Sequence, residues 1–113
     1  AVSVPSHCEL MKPAAEKLAI DLAALTFNAP KCAVINNVDV KAETSADAIK
    51  DALVRQLYSP VRWTETVQAL VAQGITQSYE FGPGKVLTGL AKRIDKAMIC
   101  GSVNDCASID AAK

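Results

Sequence analysis

Aromatic residues are scarce: one tryptophan, two tyrosines and two phenylalanines stand in 113 residues. A core must therefore be built from aliphatic side chains and alanines, and half the chain is apolar, so the material is there. Net charge is missing as well. Twelve basic and twelve acidic residues cancel, which excludes a globally basic nucleic-acid binder and a strongly acidic disordered tail. No apolar run approaches the roughly 18 residues of a membrane span. Ala1-Val2-Ser3-Val4-Pro5 has no basic stretch followed by a long apolar one, so no signal peptide is read there. Histidine occurs once, at His7, and Cys8, Cys32, Cys100 and Cys106 form no C-x-x-C pair. A zinc site thus lacks a local ligand set, and no metal or cofactor is expected. Four reduced thiols in a cytoplasmic protein is the simplest reading; a Cys100–Cys106 disulfide is its alternative.

The length suits one ordinary domain or a piece of one. Val2 to Val4 reads as a short strand ended by Pro5. The spacing of Leu10, Met11, Ala14, Ala15, Leu18, Leu22 and Leu25 predicts a helix, with Pro13 in its first turn and Ser6–Glu9 at capping-box spacing before it. Cys32 to Asn36 reads as a buried strand with Asn36-Asn37 as its exit turn. A second helix follows Thr44 or Ser45, with Thr44 and Asp47 at capping-box spacing. Ser59-Pro60 matches the N-cap and first position of a third helix, which Gly74 stops. Thr76 to Phe81 reads as a strand, Gly82-Pro83-Gly84 as a turn into a fourth helix, and Ala97 to Val103 as a last strand before a short helix. Strands alternating with helices predict the α/β class: a partial, mostly parallel sheet flanked by helices. The order leaves almost no first strand and reads as a chain cut through an α/β domain. A cut sheet edge predicts a sticky molecule.

Chemistry has few seats here. His7 follows a strand and enters a helix, and the carboxyl ends of strands in parallel sheets are where sites gather. A neutral imidazole there suits a general base; a half-buried turn residue without chemistry is the alternative. No serine lies in G-x-S-x-G, so no nucleophile elbow is present. Cys8 adjoins His7, but neighbours in a turn usually point apart. Phe81-Gly82-Pro83-Gly84-Lys85-Val86 ends in Gly-Lys at a helix start, yet a P-loop needs glycine at Tyr79 and Ser or Thr at Val86. Its helix start still offers N–H groups to an anion. Lys85, Lys92, Arg93 and Lys96 form the densest basic cluster, read either as a solvated face or as a docking patch for an acidic partner.

Several stretches carry a family likeness. Val2-Ser3-Val4-Pro5-Ser6-His7-Cys8 with Leu10 to Ala15, Val34 to Val40 (VINNVDV), Asp51 to Tyr58 (DALVRQLY) with Pro60 and Trp63, and Gly82 to Leu90 (GPGKVLTGL) with Lys92-Arg93-Ile94 resemble the bacterial malonyl-CoA:acyl carrier protein transacylases. The likeness runs nearly the whole chain and covers the last third or more of such an enzyme. It implies that residues 1–113 are the C-terminal part of the large domain of an α/β-hydrolase-like acyltransferase, without the nucleophile elbow and the small ferredoxin-like subdomain. It implies ping-pong transfer of malonyl from coenzyme A to the phosphopantetheine thiol of acyl carrier protein, through a serine acyl-enzyme, in fatty-acid synthesis. His7 matches the family's base, and the backbone carbonyl of Gln56 matches the group that orients its ring. Malonyl-CoA and acyl carrier protein are then the partners, with Lys85, Lys92, Arg93 and Lys96 as a docking face. Without the upstream serine the isolated chain is expected to be inactive. The competing expectation is a non-catalytic fragment or a stand-alone interaction module; a cysteine enzyme using Cys8 is a third.

Overall fold

A computed structural model describes residues 5–113, so the expected strand at Val2 to Val4 lies outside the described residues. The chain divides between Thr66 and Val67 into two compact units.

In the first unit a 3-10 turn, Glu9–Met11, leads into helix α1, Lys12–Ala23. Pro13 falls in the first turn, where the N–H it lacks would have no helical partner. The Ser6–Glu9 capping box does not form; Cys8 precedes the 3-10 turn and gives no side-chain cap. Helix α1 buries Ala15 and Leu22, and it packs on α2, Ala46–Gln56, which buries Ala52. Leu10 and Leu25, expected on the inner stripe, are exposed. Ser45 caps α2 by accepting from the Ala48 N–H at 3.3 Å, so the Thr44–Asp47 pairing is not used. Lys50 fastens the chain leaving α1: its Nζ donates to the Leu25 carbonyl at 2.6 Å and sits 5.3 Å from the Phe27 ring centre.

The run from Cys32 to Asn36 is not a buried strand of a parallel sheet. It narrows to β1, Ile35–Asn36, paired antiparallel with β2, Lys41–Ala42, in the register Ile35↔Ala42. The Asn36 side chain causes this, because its Oδ1 accepts from the Asp39 N–H at 2.8 Å and folds the chain back. The Val40 N–H closes the turn on the Asn36 carbonyl at 3.1 Å, leaving Val40 at φ 57°. Helix α3, Trp63–Ala72, starts three residues beyond Pro60 rather than at it. The Arg62 N–H donates to the Asn37 carbonyl at 3.0 Å and ties the chain before α3 to the hairpin turn. Buried Thr66 adds to this contact, with its Oγ1 3.1 Å from Asn37 Oδ1 and 2.9 Å from the Arg62 carbonyl.

In the second unit Gly74, at φ 85°, ends α3 as expected: its N–H donates to the Val71 carbonyl and that of Ile75 to Leu70. Strand β3, Gln77–Phe81, and β4, Ile99–Val103, pair in parallel from Gln77↔Ile99 to Phe81↔Val103, with α4, Val86–Ile94, between them. This is the α/β arrangement expected, reduced to two parallel strands. Ala91, Met98, Cys100 and Val103 are buried here. Gly101 lies under the Tyr79 ring, where a Cβ would come within 2.7 Å. Helix α5, Cys106–Ala112, opens on a reciprocal Asp105–Ser108 capping box. All four cysteines are unpaired, Cys100 buried and Cys106 exposed.

Candidate active site

The site begins with a helix end. Gln56 is the last residue of α2, so its carbonyl is one of the four without a helical donor. The residue four positions on, which would supply that donor in a longer helix, is Pro60 and has no N–H. Leu57 and Tyr58 turn their N–H groups to the Val54 and Arg55 carbonyls, each at 3.3 Å. The vacancy is filled from 49 residues away: His7 Nδ1 lies 2.9 Å from the Gln56 oxygen. A carbonyl only accepts, so Nδ1 carries the proton. In the neutral ring Nε2 then keeps its lone pair, and among the described residues it has no protein partner. The ring is exposed rather than buried among aliphatic neighbours. Its backbone stands at φ 59°, a conformation that side chains other than glycine adopt at a cost.

Cys8 makes no hydrogen bond to this ring among the described residues; its Sγ donates to the Pro5 carbonyl at 3.5 Å. No serine hydroxyl among the described residues bonds His7. Gln56 also lines a groove of about 280 Å³, whose walls include apolar Pro30, Val34, Ile49 and Leu53 and polar Asn36 and Glu43.

Sequence reasoning passed over a pair beside this carbonyl: Arg55, on the same helical turn as Gln56, and Asp39, in the hairpin turn. Arg55 donates through Nη1 and Nη2 to the two Asp39 carboxylate oxygens at 2.9 and 2.6 Å, and through Nε to Asp51 at 2.7 Å. The hydrogen bonds from Arg55 hold the Asp39 carboxyl below its ordinary value, and Asp39, then Asp51, push the Arg55 guanidinium up. Asp51 and Arg55 were legible as an i,i+4 pair. Pro60 standing four residues after Gln56 was the available signal for a free carbonyl.

In the second unit Lys85, Lys92, Arg93 and Lys96 are all exposed, and none is in an ion pair among the described residues. Lys92 and Arg93 occupy the last turn of α4, where they complement the helix dipole. At the start of α4 the Leu87 and Thr88 N–H groups are not free for an anion. The Glu80 carboxylate accepts from them at 3.2 and 2.8 Å. The N–H of Thr88 is the main reason the Glu80 carboxyl stands below its ordinary value. Among the described residues no group of His, Cys, Asp and Glu is arranged to hold a metal, and no helix is long and apolar enough to cross a membrane.

No family model matches the chain. Individual proteins do. It is 61% identical over 111 residues to the malonyl CoA-acyl carrier protein transacylase of Escherichia coli (strain K12), covering 98% of this chain and 36% of that protein. It is 59% identical over 113 residues to the protein of the same name from Haemophilus influenzae, again 36% of its length. A crystal structure of an acyl carrier protein S-malonyltransferase from Vibrio cholerae superposes with TM-score 0.94 at 65% identity, over 100% of this chain and 37% of that one. A second structure, a type II PKS acyl-carrier protein in complex with its malonyl-transacylase, matches with TM-score 0.94 at 61% identity, over 99% and 36%. The chain thus spans about a third of the length of these relatives. In sequence and in fold, therefore, it is like a C-terminal portion of a bacterial malonyl-CoA:acyl carrier protein transacylase.

Proposed function

We propose that this chain supplies the histidine base of malonyl transfer from coenzyme A to acyl carrier protein. The observation that carries the reading is the 2.9 Å contact between His7 Nδ1 and the Gln56 carbonyl, which leaves Nε2 unpartnered on an exposed ring. The similarity to named transacylases supports the substrates.

A serine provided by the remainder of the enzyme gives its proton to His7 Nε2 and attacks the malonyl thioester carbon. The Gln56 carbonyl holds the imidazolium's other N–H, doing what a carboxylate does in a Ser-His-Asp triad without adding a charge. As the tetrahedral intermediate collapses, the C–S bond breaks and the sulfur of coenzyme A takes the proton from Nε2. The phosphopantetheine thiol of the carrier protein then gives its proton to Nε2 and attacks the acyl-serine. The C–O bond breaks, and the serine oxygen recovers a proton from the imidazolium. The base ends each half-reaction as it began. The ring works at both stages because one neutral nitrogen faces the reaction and the other stays locked.

Lys85, Lys92, Arg93 and Lys96 form the docking face for the acidic carrier protein in this reading, supported by their exposure and by their freedom from internal ion pairs among the described residues. The isolated chain is inactive because it lacks the serine elbow. In a complete enzyme carrying this segment, His7→Ala lowers malonyl transfer by about 10²-fold or more; turnover near wild type overturns the assignment. One observation favours a non-catalytic interaction module as a second reading: Leu10, Ile20, Phe81 and Val86 are each more than 70% exposed, as surfaces awaiting another protein are. Recovery of transfer on mixing the chain with the remainder of the enzyme decides for the enzyme.

A further inference from the structure

Two residues other than glycine have a left-handed backbone among the described residues, His7 and Val40. For Val40 this is a severe departure, because a β-branched side chain crowds the backbone there. Such conformations persist only where surrounding contacts over-determine them. Both are tied to one helical turn. The His7 ring bonds the carbonyl of Gln56, and Asp39, next to Val40, receives the forked guanidinium of Arg55, the residue before Gln56.

The pair spans two elements. Asp39 is fixed within the hairpin turn by its own N–H, held by Asn36 Oδ1 at 2.8 Å. Arg55 is fixed on α2 by Asp51 at 2.7 Å. Each partner is thus held independently before the two meet, and two parallel N–H···O bonds fix angle as well as distance. Helix ends fray, and the last turn of α2 has no continuing ladder to hold it. Pro60 ends that ladder.

We propose that Arg55 is a positioning residue: its fork onto Asp39 pins the last turn of α2 so that the Gln56 carbonyl meets His7 Nδ1 and fixes the imidazole tautomer. The inference rests on the reading of His7 as a base but makes a separate claim about the ring. Arg55 touches no reacting atom and acts through the neighbouring peptide. A lysine cannot replace it, because an ammonium has no planar fork.

The single histidine makes the test direct, since nitrogen-15 NMR of the 113-residue chain shows one imidazole. In the wild-type chain the neutral ring reports Nδ1–H. In Arg55→Lys and in Asp39→Asn the ratio of the two tautomers shifts by roughly fivefold toward Nε2–H. In the complete enzyme the same substitutions lower kcat by about 10- to 100-fold with KM held. An unchanged imidazole spectrum in both folded variants overturns the inference and leaves His7 as the base. Loss of helical circular dichroism in both variants also overturns it, because a pair needed for the whole fold is not a device for one ring. Near wild-type turnover of His7→Ala overturns the base reading, and with it the positioning role in catalysis, while the tautomer shift remains a separate result.

Discussion

Replacing Pro60 by alanine restores the donor whose absence leaves the Gln56 carbonyl free. The new N–H competes with His7 Nδ1 for one oxygen, now engaged at 2.9 Å. Each bond contributes about 1 kcal/mol net. Removing the proline also lifts its restriction on Ser59, which becomes free to turn helical. Against extension stands the 3.0 Å bond from the Arg62 N–H to the Asn37 carbonyl, which a longer helix would break. The terms nearly balance, so the population with His7 bound falls by roughly twofold. Two assays read this: the imidazole nitrogen-15 spectrum, which moves toward Nε2–H, and malonyl transfer in a complete enzyme, which falls by about the same factor. A Pro60→Ala chain with an unchanged spectrum and no gain in helical circular dichroism refutes the reasoning. The carbonyl would then be kept vacant by the path of the chain and not by the missing donor.

Further outcomes follow from the second unit. Gly101→Ala places a methyl 2.7 and 2.8 Å from two carbons of the Tyr79 ring and destabilises by about 1–3 kcal/mol in thermal unfolding; adding Tyr79→Ala removes that penalty, and a further equal loss in the double variant contradicts the contact. Acid loosens the start of α4. The Glu80 carboxyl is held below its ordinary value of 4.5 by the N–H groups it accepts, so its contribution is complete above that value and disappears as pH falls through the lower folded one. Hydrogen exchange at Leu87 and Thr88, corrected for intrinsic rates, therefore accelerates on acidification, and Glu80→Gln abolishes that pH dependence.

Regular elements with local signals were legible in the sequence. Pro13 at the start of α1, Gly74 after α3, and the strands at β3 and β4 follow from rules that act within a few residues. The failures share a cause: a backbone N–H captured by an unexpected or distant acceptor. Cys32 to Asn36 has strand composition, yet Asn36 Oδ1 captures the Asp39 N–H and makes a hairpin instead. Ser59-Pro60 has the chemistry of a helix start, but Asn37 claims the Arg62 N–H and delays α3 to Trp63. The candidate site lies at the same limit. His7 and Gln56 are 49 residues apart, and no periodicity joins them; their pairing was suggested by family resemblance. Asp39 and Arg55, 16 apart, carried no joint signal. Val40 is among the last residue types a sequence rule would place in the left-handed region.

The carboxylate on the first amides of α4 has a bearing on what the glycine-rich corner after β3 will accept. A phosphate approaching those N–H groups meets a resident anion attached to the same chain only seven and eight residues away. Tethering over so short a span keeps that anion at a millimolar or higher effective concentration. A free phosphoryl group must displace it and leave a second negative charge close by. The corner thus has the glycines of a phosphate cradle, but its Leu87 and Thr88 amides are already spoken for by a carboxylate of the same chain.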